Sequence, residues 1–138
     1  VYNAVLRVFR ACCQMLRPGV IIREYQEEVG KLMEKELLGL GLITQEDIDK
    51  QDPEKPAYKK YFPHGTSHPL GLDVHDVGHM WKPVEVGMVF TVEPGIYIRE
   101  EKLGVRLEDN ILIGEHENID LMAHIPIEAD EIEALMRG

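Results

Sequence analysis

The sequence predicts an α+β fold in which helices come before and after an antiparallel sheet. Two amphipathic helical patterns occupy residues 1–40, two segments that alternate between apolar and polar residues follow from Met88, and a short helical pattern lies near the C-terminal end. Helical and strand patterns are not interleaved, so this order favours α+β over a βαβ arrangement. A chain of 138 residues with 44% hydrophobic residues is long enough to form one core.

The first helix is predicted from the second residue to near Arg17. Its apolar residues recur at spacings of three and four, and Pro18-Gly19 then supplies one residue that cannot continue a helix and one that tolerates positive φ. A second helix is predicted between Ile22 and Leu40, with one aliphatic and one charged face. Helices commonly carry Ser or Thr where Ile22 stands, so we expect the first N–H groups of this helix to lack a side-chain acceptor.

The polar residues 41–60 are predicted to connect the helices to the sheet. Thr44 and Asp47 have the spacing of a capping box, which predicts a short helix there. Pro53 and Pro56 interrupt regular structure in the residues that follow.

Two alternating segments predict the sheet. MVFTVEPGIYI reads as a strand bent at Pro94-Gly95, with Glu93 on the inward side. GVRLEDNILI reads as a second strand that carries Arg106 and Glu108 on one face. The intervening REEKL is short enough for a hairpin connection, and a helix over 129–136 is predicted to follow.

The chain is strongly acidic, with 15 Lys and Arg against 25 Asp and Glu and a formal net charge of −10. Phosphate backbones and anionic membranes attract basic proteins, so we expect neither nucleic acid nor membrane among the partners. Most of these carboxylates are predicted to form a solvated acidic surface.

The two cysteines, Cys12 and Cys13, are adjacent within the first helical pattern. Because neighbouring residues cannot cross-link distant segments, we interpret them as small core residues in a reducing compartment. No apolar run approaches the roughly 18 residues that a membrane span requires. The sequence therefore predicts a cytoplasmic location.

Four of the six histidines lie in HGTSHPLGLDVHDVGH, residues 64–79. The glycines and the proline of this segment argue against a continuous helix, so His64 and His68 are not the paired ligands of a zinc-binding helix. One interpretation is a loop whose imidazoles bind backbone carbonyls, with Asp76 ordering its own turn. The other is a metal or catalytic site.

Glu93 and Glu108 favour the second interpretation, because both lie within strands on sides that alternation points inward. A carboxylate is seldom buried without a partner or a metal. One histidine with two inward carboxylates is a hard, oxygen-rich ligand set that suits Mn²⁺ or a similar ion better than structural zinc.

HGTSHPLGLDVHDVG, TVEPGIYI and GVRLEDNILI follow one another in this order. Together they resemble the C-terminal half of the catalytic domain of the Xaa-Pro aminopeptidases, also called aminopeptidase P. These belong to the pita-bread metallopeptidase family with prolidase, methionine aminopeptidase and creatinase. The helical stretch that ends in LRPGV also resembles the family, so the likeness covers most of the chain.

The resemblance implies a part of a pita-bread fold and a centre of two divalent metal ions, Mn²⁺ in the complete enzyme. By it, His68 and Glu93 are metal ligands and Glu108 bridges the two ions. Bridging carboxylates suit this chemistry, because they hold two cations about 3.5–4 Å apart.

The resemblance also implies catalytic roles for three residues beside the metals. His75 would contact the scissile carbonyl or transfer a proton, and His64 would stabilise the tetrahedral intermediate. Arg106 would orient a ligand carboxylate, since it lies two residues from Glu108 on the same strand face.

One departure from the family concerns two further aspartate ligands, which come from a strand hairpin before the first helix. This sequence begins inside that helical pattern, and Asp47, Asp49 and Asp52 lie too far along the chain to replace them. Two divalent ions bring a charge of +4, and two glutamates balance only half of it. We therefore expect residues 1–138 to be a single unit, the C-terminal portion of a catalytic domain, with weak or absent metal binding and no activity alone.

Three functions remain open from the sequence. The first is an aminopeptidase that releases the N-terminal residue from peptides with proline second. The second is a prolidase, which needs a cationic group for the free carboxylate of a dipeptide. The third is a pita-bread module that binds without catalysis. An exposed hydrophobic face is also expected, with self-association into a homo-oligomer as a hypothesis.

Overall fold

The fold was obtained as a computed structural model that describes residues 1–137. Its helices and strands occur in the predicted order, helices before and after the strands. The elements are α1 (Tyr2–Met15), α2 (Ile22–Gly39), α3 (Gln45–Asp49), β1 (Val89–Val92), β2 (Gly95–Ile98), β3 (Leu103–Arg106), β4 (Asp109–Leu112), β5 (Ile119–Asp120) and α4 (Ala129–Met136). Short 3₁₀ turns lie at Ala57–Lys60 and Arg99–Glu101.

All strand pairs are antiparallel and form two small sheets. One has the order β1-β4-β5, and the other pairs β2 with β3. The first predicted strand breaks at Pro94-Gly95 as expected. The second was predicted as one strand, which is wrong, because it breaks at Leu107 and Glu108. The partner of a bent strand must bend at the same level, and the Leu107 amide donates to the Pro94 carbonyl at 3.4 Å across that bend.

The core lies between the helix pair and the sheets. Side chains from α1, α2, the 3₁₀ region and the strands are buried together, among them Leu16, Ile22, Met33, Leu37, Phe62, Ile96, Ile111 and Ile113. Burial of one such side chain stabilises the fold by about 1.5–3 kcal/mol. The apolar faces predicted for α1 and α2 therefore form most of the core against which the sheets pack.

The helix ends agree closely with the sequence predictions. α1 ends at Met15, and the chain then turns through Gly19, whose φ is +88°. α2 begins at Ile22, but its cap residue is Ile21, and no side chain accepts its first amides. The Arg23 amide instead donates to the Met80 carbonyl at 3.3 Å.

The capping box is confirmed at the start of α3. The Thr44 hydroxyl accepts from the Asp47 amide at 3.2 Å, and the Asp47 carboxylate accepts from the Thr44 amide at 2.8 Å. The C-terminal helix α4 has the bounds that its pattern predicted.

Apolar side chains are exposed in the loop before β1. Leu72 and Val77 are fully or almost fully exposed, at 103% and 93%, and Val74 is exposed at 68%. This is the part of the structure that best matches the expected hydrophobic face, while self-association stays a prediction. Among residues 1–137, no helix is both long and apolar enough to span a membrane.

Candidate metal centre

The segment 66–70 runs antiparallel beside the open edge of β1 and brings two predicted ligands together. The Glu93 amide donates to the Thr66 carbonyl at 2.8 Å, and the Thr91 amide donates to the His68 carbonyl at 3.0 Å. These backbone bonds fix the register between the histidine-rich loop and the strand. His68 therefore lies beside Glu93 although 25 positions separate them in the sequence.

The side chains of His68, Glu93 and Glu108 converge. One ligand atom from each lies within 4.8 Å of the others, and within residues 1–137 no other group of three or more potential ligands does this. The distance from His68 Nε2 to Glu93 Oε1 is 3.2 Å. The side chains of His68 and Glu93 are mostly buried, at 19% and 13% exposed, and that of Glu108 is 35% exposed.

The ring of His68 is oriented for ligation through Nε2. Its Nδ1 lies 3.0 Å from the Pro69 carbonyl oxygen. A carbonyl can only accept, so Nδ1 carries a hydrogen, and Nε2 is the nitrogen that faces Glu93 and is available to a metal ion. Both interpretations of the loop therefore apply to this residue, because a backbone carbonyl sets the tautomer that a metal ligand needs.

Thr91 hydrogen-bonds with both of these predicted ligands, a contact that the sequence analysis missed. Its hydroxyl donates to Glu93 Oε1 at 3.3 Å and accepts from the His68 amide at 3.1 Å. The residue is buried, at 2% exposed. The available signal was the strand alternation, which places Thr91 and Glu93 on the same face.

Arg106 lies between the two carboxylates, where it can orient them. Its Nη1 is 3.7 Å from Glu93 Oε2, and its Nη2 is 3.3 Å from Glu108 Oε2. One guanidinium balances one of the two negative charges. The pair therefore keeps a net negative charge that would attract a cation.

His75 lies next to the cluster. Its ring centroid is 4.2 Å from that of His68, with the planes tilted by 52°. The loop that carries His75 is tightened by Asp76, whose carboxylate accepts from the Val77 amide at 2.7 Å and the Leu72 amide at 2.8 Å. These backbone bonds, that of Val77 first, lower the pKa of Asp76. The turn-ordering role predicted for Asp76 is thus confirmed.

The contacts of the His64 ring lie outside the cluster of His68, Glu93 and Glu108. Its Nδ1 lies 2.8 Å from the Gly65 carbonyl oxygen and its Nε2 2.7 Å from the Tyr97 hydroxyl, while its ring packs edge-on against Phe62. The Gly65 carbonyl needs a donor, so Nδ1 is protonated and the neutral ring accepts from Tyr97. The sequence analysis missed Tyr97, although the aromatic residue with a polar end in GIYI was visible.

The arrangement provides ligand atoms of the kind that divalent cations prefer. An imidazole nitrogen and two carboxylates form a hard ligand set, and the site carries excess negative charge. The residues present therefore fit a divalent metal ion.

Comparison with known proteins gives a consistent result. A profile of metallopeptidase family M24 matches residues 1–115. An Xaa-Pro aminopeptidase of Haemophilus influenzae is 40% identical over 99% of this chain and 34% of its own length. An Xaa-Pro aminopeptidase of Escherichia coli is 39% identical over 99% of this chain and 33% of its own length. The chain thus spans about a third of the length of these curated relatives.

Solved structures show the same likeness. Escherichia coli aminopeptidase P with the inhibitor Pro-Leu superposes with a TM-score of 0.87, at 38% identity, over 99% of this chain and 33% of that chain. The zinc-substituted form of that enzyme in complex with product gives the same values. The predicted pita-bread fold is confirmed, and the chain belongs to metallopeptidase family M24.

Proposed function

We propose that this chain provides part of the metal site of an Xaa-Pro aminopeptidase, which releases the first residue from peptides with proline second. The observation that carries the proposal is the convergence of His68, Glu93 and Glu108 within 4.8 Å. The matched relatives named as Xaa-Pro aminopeptidases support the choice of substrate. We also propose that the protein works in the cytoplasm.

The proposed cofactor is a pair of divalent ions, with Mn²⁺ as the preferred metal because the ligand set is hard. Bound ions of this kind supply a nucleophile near neutral pH and polarise the scissile carbonyl. Two ions need more negative charge than Glu93 and Glu108 provide. We therefore propose that ligands outside these 138 residues complete the site.

In this proposal, residues of this chain orient the metal ligands and donate a proton to the leaving nitrogen. Thr91 and Arg106 hold Glu93 in place, each through one carboxylate oxygen. The nitrogen of an Xaa-Pro bond carries no hydrogen, so it must receive a proton as it leaves. His75 is exposed and lies beside His68, so we propose that it contacts the scissile carbonyl or donates this proton.

We propose that His64 contributes to the substrate pocket. The His64 ring is held by its hydrogen bond with the Tyr97 hydroxyl and by edge packing with Phe62. His64 also lines a groove of about 770 Å³ between α2 and the segment around residues 51–65, which is large enough for part of a peptide.

Peptide hydrolysis with added Mn²⁺ tests the proposal. We expect the 138 residues alone to be almost inactive and the longer protein that contains them to cleave tripeptides with proline second. Robust turnover by the 138 residues would contradict the shared site. Cleavage of Xaa-Pro dipeptides alone would instead indicate a prolidase, and no cleavage with intact metal binding would indicate a binding module.

A pair of variants in the longer protein tests His75. H75A should lower turnover by about 10²–10⁴-fold if this imidazole transfers a proton. H79A is the matched control, because His79 is an exposed histidine of the same loop region. Equal losses in both variants would show that the loop, rather than the His75 imidazole, is required.

A further inference from the structure

Residues at the start of α2 bind the histidine-rich loop just before His68. The side-chain oxygen of Gln26 accepts a hydrogen bond from the Thr66 amide at 2.7 Å. On the preceding residue, the Tyr25 hydroxyl lies 3.4 Å from Ser67 Oγ. Two consecutive helix residues thus hold two consecutive loop residues, across about 40 positions of sequence.

Thr66 connects this contact directly to the candidate metal centre. Its amide binds Gln26, and its carbonyl accepts from the Glu93 amide at 2.8 Å. Two residues further on, the His68 amide binds the Thr91 hydroxyl. The backbone of Thr66 therefore lies between α2 on one side and the backbone of a predicted ligand, Glu93, on the other.

Most residues in this contact between α2 and the loop are buried. Thr66 is fully buried at 0% exposed, Tyr25 is 3% exposed and Ser67 is 6% exposed. Because Thr66 itself is buried, its amide needs a partner within the protein, and Gln26 supplies one. Burial also raises the pKa of Tyr25, which keeps its hydroxyl neutral and able to hydrogen-bond.

We propose that Gln26 is a positioning residue for the metal centre. It holds Thr66 in place, and through Thr66 it sets the distance between His68 and Glu93. Gln26 contacts neither ligand and takes no part in the chemistry. The inference rests on the proposed function in one respect, which is that His68 and Glu93 are metal ligands.

Three variants, each made in the longer protein that contains this chain, test the role of Gln26. Q26M keeps the length of the side chain but removes the acceptor, and Q26E restores an acceptor oxygen. Q51M is the matched control, because the Gln51 side-chain oxygen accepts from the Ala57 amide at the same 2.7 Å, away from the ligands. Where Q26M is too unstable to study, Q26N shortens the reach by one methylene and should behave in the same way.

Two measurements are needed, amide hydrogen exchange by NMR and calorimetric titration with Mn²⁺. We expect Q26M to speed exchange at Glu93 on the order of 10-fold and to weaken Mn²⁺ binding by about 10-fold, with recovery in Q26E. Q51M should change neither. Unchanged exchange at Glu93 in Q26M, or equal effects of Q51M, would overturn the inference.

The two measurements also separate this inference from the proposed function. Amide exchange reports the connection from Gln26 to Glu93 without any metal. A wild-type chain with no detectable Mn²⁺ binding, even when joined to the rest of the protein, would count against the metal site. Faster exchange at Glu93 in Q26M would then still support the positioning role of Gln26 within the fold.

Discussion

The hydroxyl of Thr91 donates a hydrogen bond to Oε1 of Glu93 at 3.3 Å, from the same face of the same strand segment. The same hydroxyl accepts from the His68 amide at 3.1 Å. One buried side chain thus hydrogen-bonds with predicted ligands from two separate segments of the chain. Removal of a partner that orients a metal ligand typically lowers metal affinity by about 10–100-fold.

Replacement of Thr91 by Val should therefore weaken both the fold and the metal site. T91V leaves the His68 amide without its acceptor, so we expect a loss of about 1–3 kcal/mol in the free energy of unfolding. In the longer protein that contains this chain, Mn²⁺ affinity should fall by about 10–100-fold. Denaturant unfolding and calorimetry measure the two effects. T91S is the control, since it keeps the hydroxyl, and equal Mn²⁺ binding by T91V and the wild type would contradict the role.

The contact between Gly30 of α2 and Tyr58 predicts an asymmetry between two glycines of one helix. A Cβ on Gly30 would lie 2.4 Å from Tyr58 Cε1, whereas a Cβ on Gly39 would meet nothing within 4 Å. G30A should destabilise the chain by about 1–3 kcal/mol through overpacking. G39A should be neutral or stabilise by up to about 1 kcal/mol, because alanine favours helix. Thermal unfolding of both variants checks this, and a stabilising G30A would show that Tyr58 moves away freely.

The cysteines should react slowly in the folded chain. Burial raises the pKa of the Cys12 thiol to about 12, and burial with the neighbouring Cys12 does the same for Cys13. At pH 8 the thiolate fraction should be about 1,000-fold smaller than that of a free cysteine. Iodoacetamide labelling followed by mass spectrometry should detect little modification in native buffer and two modified cysteines in denaturant. Native labelling as fast as that of glutathione would contradict the raised pKa of the two thiols.

Asp109 predicts a pH dependence of stability. Burial, followed by the neighbouring Asp120 carboxylate and the hydrogen bond with it, raises the pKa of Asp109 to about 6. The folded state thus favours the neutral acid. The resulting stabilisation is complete below the ordinary pKa near 4, declines as the pH rises, and is lost above about pH 6.

The variant D109N should remove this dependence. Because solvent reaches part of the pair and screens it, we expect a gain of at most about 1 kcal/mol at pH 7.5, or about 3 °C in Tm, and no gain at pH 4. D120N should give a smaller gain, because it removes the repulsion but not the burial of Asp109, and the double variant should give less than the sum, because both changes remove that same repulsion. A gain that is larger at pH 4 than at pH 7.5 would contradict the assignment. Thermal unfolding at both pH values measures it.

Several elements were predictable because their causes lie within a few residues. The spacing of apolar residues predicted α1 and α2, Thr44 and Asp47 predicted the start of α3, and Pro94-Gly95 predicted the bend. The uncapped start of α2 was also predicted, although the residue at the cap is Ile21 rather than the expected Ile22. Short-range patterns of this kind need no knowledge of the tertiary structure.

The break at Leu107 and Glu108 could not be predicted, because its cause is the bend in the partner strand. Part of the candidate site followed from the sequence. The three motifs in their order predicted His68, Glu93 and Glu108 as metal ligands. Strand alternation placed Arg106 on the same face as Glu108. The supporting contacts of Thr91 and Gln26 did not follow, since each depends on a register between distant segments.

The sequence by itself determined the helices, the bend between the strands, the net negative charge and the types of residue available as ligands. Only the tertiary structure decided that these ligands meet, with the segment 66–70 aligned beside β1 and anchored to α2. The physical reason is the range of the interactions. Helix formation and capping depend on neighbours within about four residues, whereas a metal site requires side chains from separate segments to be held within a few ångströms by backbone hydrogen bonds.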